Sequence, residues 1–180
     1  MRPLATAAAV MLAGFGAGCG FHPLYAIPNA PSGSMQRNLG SIYVEPVPDR
    51  LGYELRNNLI DLLDAQPRPI GARYRLRVTL SEKSEAIGVQ SQPAPGGITQ
   101  TAITRYNDTM TAEYELVDTA TNTVVNRGVE TGLSAYNVLA SPYATLIGQQ
   151  DADRHAADDM ADRIRIDLAV YFAQGAKPHK

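Results

Sequence analysis

The chain has 180 residues, a length that accommodates one domain around one hydrophobic core. With 44% hydrophobic and 19% charged residues it lies away from the composition of chains that stay disordered. A net charge of −2 excludes the overall basic footprint of nucleic-acid-binding proteins, and a single cysteine, Cys19, excludes an internal disulfide or a cysteine-built zinc cluster.

Residues 1–18 read as an export signal: Arg2 is a minimal positive start, residues 4–15 are apolar, and Gly16-Ala17-Gly18 is a small-residue cleavage site. The apolar run falls short of the roughly 20 residues needed to span a bilayer. Gly16-Ala17-Gly18-Cys19 resembles the bacterial lipobox, in which the cysteine thiol carries a diacylglycerol; Gly16 stands where that pattern usually has an aliphatic residue. The alternative is an ordinary secretory signal with an incidental cysteine. Several acyl chains on Cys19, at about 0.8 kcal/mol per buried methylene, make a durable membrane attachment. Gly20, in place of the Asp that retains lipoproteins at the inner membrane, implies the outer membrane.

Residues 19–40, with Pro23, Pro28, Pro31, Ser32, Gly33 and Ser34, read as a flexible tether. A single domain over residues 41–174 follows, then a tail, 175–180. Ile42-Tyr43-Val44 is a short strand closed by Pro46 and Pro48. Asp49 is expected to cap a helix in which Leu51, Leu55, Leu59, Leu62 and Leu63 recur at steps of three and four, with Pro67 beyond its end. Tyr74, Leu76, Val78 and Leu80 alternate with Arg73, Arg75, Arg77 and Thr79, the period of a strand with one buried face.

Residues 106–117 form a second long strand, with Met110, Ala112, Tyr114 and Leu116 inward and Thr109, Thr111, Glu113 and Glu115 outward. Residues 118–122 are turn chemistry and 123–133 return as the next strand, making a hairpin. Residues 91–97 are a mobile tip between the earlier strands. A closing helix over 151–172 places Ala156, Ala157, Met160, Ala161, Ile164, Leu168, Tyr171 and Phe172 on one stripe, with Asp153, Asp158, Asp159, Asp162 and Arg163 mostly off it and acids crowding its first turns. The predicted fold is α+β, two helices packed on one face of a four-stranded, mostly antiparallel sheet.

No enzymatic motif is present. His22, His155 and His179 share no metal-binding spacing, and nucleophile-elbow, Walker and dinucleotide glycine patterns are missing, so no catalytic residue, cofactor or metal is expected. Asp158-Asp159 reads as solvated surface. One basic constellation stands out: Arg73, Arg75 and Arg77 from one strand face, with Lys83 further along and Arg105 on the neighbouring segment. Arg forks grip phosphates, but the same residues serve equally as cross-strand partners of Glu113 and Glu115. Tyr136 and Tyr143 are candidate exposed interface anchors.

Four segments carry a resemblance: Cys19-Gly20-Phe21-His22-Pro23-Leu24-Tyr25, Asp49-Arg50-Leu51-Gly52-Tyr53-Glu54-Leu55-Arg56-Asn57, Ser134-Ala135-Tyr136-Asn137 and the alanine-rich closing helix. Their order and spacing over nearly the whole mature chain resemble the LptE family of lipopolysaccharide-assembly lipoproteins. That resemblance implies a lipid-anchored protein on the periplasmic side of the outer membrane, lodged as plug and partner in the LptD β-barrel and binding lipopolysaccharide, without turnover. Under it, Arg73, Arg75, Arg77, Lys83 and Arg105 become candidate contacts to lipid A or core phosphates. A competing reading is an accessory lipoprotein of a lipid-trafficking ABC transporter, which shares the anchor and a small α/β domain.

Overall fold

The computed structural model describes residues 32–93 and 95–175. The expected signal, Cys19 and most of the expected tether and tail lie outside the described residues.

The described elements are α1 (Ser32–Leu39), β1 (Ile42–Val44), α2 (Asp49–Leu63), β2 (Tyr74–Pro93), β3 (Thr99–Asp118), β4 (Thr123–Asn137) and α3 (Pro142–Ala173). The four strands form one sheet in the order β1-β2-β3-β4, with β1 parallel to β2 and the other pairs antiparallel. The parallel pair is possible because α2 supplies the crossover that returns the chain to the same sheet end. The expected α+β architecture holds, with a third, short helix added.

The core lies on one face of the sheet. Tyr74, Leu76 and Val78 of β2 and Met110, Ala112, Tyr114 and Leu116 of β3 point into it. Leu51, Leu55, Leu59 and Leu63 cover them from α2, and the alanine-rich stripe from Ala156 to Phe172 covers them from α3. Burying each Leu or Ile side chain stabilises the fold by about 1.5–3 kcal/mol. The small residues of α3 let its backbone approach closely: a Cβ on Gly132 of β4 would sit 3.2 Å from the Ala156 carbonyl oxygen.

A second contact of this kind joins β3, β4 and α3. The Tyr114 hydroxyl donates to Asp167 Oδ2 at 2.5 Å, and Asn126 Nδ2 donates to the same oxygen at 3.0 Å. Burial, then the Asp167 carboxylate, pushes the Tyr114 hydroxyl far above its usual range, so it stays a donor. Gly128, opposite Tyr114 in the ladder, leaves the room the ring needs.

Several boundaries differ from the sequence reading. The last part of the expected tether is helix α1, because Leu39 is buried and Met35 packs against the core, while the Gly40 N–H donates to the Gln36 carbonyl. Asp49 does not cap α2: Pro48 stands at that position without a side-chain cap, and Asp49 itself has φ +67°. Helix α3 starts nine residues before the expected 151, at Pro142, where Ser141 Oγ accepts from the Ala144 N–H. Asp151 and Asp153 therefore sit inside the helix, and its first turn holds no acid.

β2 and β3 run well past their predicted ends. Beyond Arg105, which pairs with the last residue of β4, they continue alone as a two-stranded ribbon from Val89↔Ile103 to Pro93↔Thr99. The expected mobile tip thus shortens to a turn in which Gly96 and Gly97 take positive φ. The hairpin turn at residues 118–122 is as predicted: Asp118 Oδ1 accepts from the Ala120 and Thr121 N–H groups, and Asn122 takes φ +55°.

Candidate functional site

With the helices on one face, the opposite face of the sheet is bare among the described residues. Alternation puts Arg75, Arg77, Thr79, Ser81, Lys83 and Glu85 of β2 on that outer face, beside Glu113, Thr111 and Thr109 of β3 and Arg127, Thr131 and Leu133 of β4. The face changes character along its length. Near β1 it is charged, in the middle it is threonine-rich, and toward the ribbon it turns apolar at Ile87, Val89, Ile103 and Leu133, the last 74% exposed.

The five candidate cations do not converge. Arg75 and Arg77 share Glu45, at 3.8 and 3.2 Å, and Arg77 also reaches Glu115 at 3.6 Å. Arg75 donates to Asn122 Oδ1 at 2.9 Å. Arg73 lies just before β2, its guanidinium 5.3 Å from the Tyr74 ring centroid. Lys83, about 20 Å along the strand from Arg77 at roughly 3.3 Å per residue, pairs with Glu85. Arg105 is farther still and donates to Asn137 Oδ1 at 3.3 Å. The cross-strand partnership anticipated for Glu115 is present, and Glu45, on the loop after β1, is a partner that strand alternation did not reveal. Among these five, Arg75 and Arg77 are the two whose guanidinium groups share one carboxylate, Glu45.

Under the sheet, just past the apolar core, lies a polar layer. Glu82 of β2, Asp108 of β3 and Asp153 of α3 bring carboxylate oxygens within 4.8 Å of one another. Asp108 and Asp153 are buried, at 0% and 3% exposure. Ser84 Oγ donates to Asp108 Oδ1, Ser134 Oγ to Asp153 Oδ1 at 3.1 Å, and Arg50 of α2 to Asp153 Oδ2 at 3.0 Å. Asp108 Oδ2 is buried without a hydrogen-bond partner. Burial, then the Asp153 and Asp108 charges, raises the Glu82 carboxyl; burial raises Asp153 against the pull of Ser134 and Arg50. The sequence reading set Asp153 off the buried stripe. It is on it, four residues before Ala157, and the gathering of three acids from three elements has no local motif.

Tyr136, expected to be exposed, is half-buried and stacks on Tyr106 with centroids 5.6 Å apart. Tyr143, at 72% exposure, remains an exposed ring near the start of α3, close in sequence to exposed Leu139, Leu146 and Ile147. His155, the one histidine among the described residues, is on the surface, its Nδ1–H donating to the Asp151 carbonyl at 2.8 Å. Asp158 and Asp159 are exposed, as expected. No helix among the described residues is long and apolar enough to cross a membrane.

A helix-backed sheet with a bare outer face and a protruding two-stranded ribbon defines the class: a small α+β domain of the kind seen in envelope lipoproteins. A putative lipoprotein from Caulobacter crescentus CB15 superposes with a TM-score of 0.61 at 27% identity, over 78% of this chain and 97% of that one. The rare lipoprotein B from Shewanella oneidensis shares the fold, with a TM-score of 0.51 at 13% identity over 74% of this chain and 96% of that one. An uncharacterized protein, RP188, from Rickettsia prowazekii (strain Madrid E) is 25% identical over 139 residues, 77% of this chain and 82% of its own length. The family model described as "LptE: Lipopolysaccharide-assembly" matches residues 39–168. The chain belongs to the LptE family of lipopolysaccharide-assembly lipoproteins.

Proposed function

We propose that this chain is an outer-membrane lipoprotein, anchored on the periplasmic side through acylated Cys19, that assists lipopolysaccharide assembly as plug and partner of the LptD β-barrel and binds lipopolysaccharide. Its role is surface contact, not turnover. The observation that carries the reading, together with family membership, is the outer sheet face that none of the described helices covers.

That face suits a wet barrel lumen. Its threonines and serines satisfy their hydrogen bonds with water or with lumen side chains, and its charges stand in the half-exposed Arg75–Glu45–Arg77–Glu115 network. Exposed ion pairs contribute little to stability, so exchanging a carboxylate for a phosphate at Arg75 or Arg77 costs the fold little. The bidentate fork of arginine fits phosphate oxygens well. Lys83 and Arg105 are placed too far along the strands to join the same headgroup and are assigned separate contacts, while Arg73, two residues before Arg75, has its guanidinium over the Tyr74 ring.

Affinity purification of the acylated full chain from outer membranes tests the partner. Recovery of a large outer-membrane β-barrel supports the reading; recovery of the subunits of an ABC transporter in its place refutes it in favour of the competing role.

A further inference from the structure

We propose that Glu82, Asp108 and Asp153 form a binding site for a hard divalent cation, of the calcium, magnesium or manganese type, that ties α3 to β2 and β3. Three carboxylates from three elements converge with their oxygens within 4.8 Å. That spacing fits oxygens around one ion at metal–oxygen distances of about 2.0–2.6 Å. The donors are all oxygen, with no sulfur or imidazole, which selects hard cations over zinc or copper.

The independent sign of a ligand is Asp108. Its side chain is wholly buried, Ser84 occupies Oδ1, and Oδ2 has no partner. A buried charged oxygen without a partner is costly, and native folds rarely keep one. The charge around it is unbalanced as well. Arg50 is the cation that reaches this layer, yet it is shared between Asp153 Oδ2 at 3.0 Å and Glu54 Oε1 at 2.7 Å. One guanidinium therefore faces four carboxylates. A divalent ion supplies both the missing partner for Asp108 and the missing charge.

The surroundings are those of a built site. Ser84 holds Asp108 Oδ1 and so fixes the orientation of the unpartnered Oδ2, and Ser134 and Arg50 hold the two Asp153 oxygens in place, the role that outer-shell hydrogen bonds play around metal ions. Glu82 is exposed and closes the site from the solvent side, leaving a route of entry.

Terbium luminescence of the full-length protein, purified in detergent and stripped with chelator, tests the proposal. The stacked Tyr106–Tyr136 pair lies at this layer, Tyr136 feeling the Asp108, Asp153 and Glu82 charges, and serves as the sensitiser. Tyrosine-sensitised terbium emission that saturates, and that calcium, manganese or magnesium displaces, is expected. Glu82→Gln, at an exposed position that the fold does not need, weakens terbium binding by about tenfold or more, and Asp153→Asn does the same. Asp162→Asn, in the separate acidic groove lined by Asn58, Asp61, Leu62, Asp158 and Asp162, leaves it unchanged. Absence of sensitised emission at millimolar terbium overturns the site, as does emission that only Asp162→Asn reduces. Circular dichroism on each variant separates loss of a ligand from loss of the fold.

Discussion

Replacing Gly128 with alanine tests whether the seam between β3, β4 and α3 is packed as described. A Cβ at that position meets the Tyr114 hydroxyl oxygen at 2.3 Å, Cζ at 2.6 Å and Cε1 at 2.9 Å, all inside contact distance. The ring is pinned on its other side by the hydrogen bond to Asp167 Oδ2, so relief requires moving the ring and breaking that bond. Overpacking of this sort costs about 1–3 kcal/mol. A hydrogen bond to a charged group contributes about 1.5–3 kcal/mol. The better strand propensity of alanine returns about 0.5–1 kcal/mol. The net expectation is a loss of about 1.5–5.5 kcal/mol, or a fall in Tm of roughly 5–17 °C for a domain of this size. Urea denaturation followed by circular dichroism measures it. In a Tyr114→Leu background the same glycine change should range from neutral to stabilising by up to about 1 kcal/mol, because the obstructing ring is gone and the strand propensity of alanine remains. A Gly128→Ala protein as stable as the parent, or one equally damaged in both backgrounds, refutes the packing argument.

Leu168→Ala, at a position fully buried between α3 and the sheet, should lower stability by about 2–5 kcal/mol, read from the urea midpoint. Arg75→Glu with Arg77→Glu should leave stability within about 1 kcal/mol per lost pair while weakening lipopolysaccharide binding; unchanged affinity at low salt removes those two residues from the binding surface. Because the folded-state Glu82 and Asp153 carboxyls are raised, the native protein takes up their protons before the unfolded chain does, so in chelator their penalty is absent at low pH and grows as pH rises through their range. Metal-free Glu82→Gln should therefore melt above the parent at about pH 7 and converge with it near about pH 3.5; a constant difference across that span contradicts the assignment. Mass spectrometry of the membrane-extracted protein should find a mature N-terminus at Cys19 carrying fatty acyl chains, and a free thiol there removes the anchor.

Much of the fold was legible because its core elements are strictly periodic. The leucines of α2 recur every three or four residues, and Tyr74–Leu76–Val78 and Met110–Ala112–Tyr114–Leu116 alternate cleanly; every one of these except the half-buried Leu62 is buried. Periodicity gave out where burial stops being apolar. β2 continues beyond Leu80 with Glu82, Ser84 and Ala86 on its inner face, a polar sequence that alternation cannot distinguish from a loop but that ladder pairing with β3 holds extended. The start of α3 was hidden for the converse reason: Tyr143, Leu146 and Ile147 are apolar yet exposed, so the stripe that marks the helix begins only at Asp153 and Ala156. The candidate site was half legible. The Arg75–Arg77 face follows from strand period, whereas Glu45 and the three-carboxylate layer depend on loop and helix placement across residues far apart in sequence.

The central claim is that the bare outer face of the sheet meets an outer-membrane barrel. A photo-crosslinking side chain placed at Leu133, on the edge strand β4 toward the ribbon end of that face and 74% exposed, tests it in living cells. A crosslinked adduct with LptD is expected from Leu133, and from Val129 four residues away on the same strand face. Barrel adducts from exposed α3 positions such as Ile166 with none from Leu133 or Val129 would contradict it.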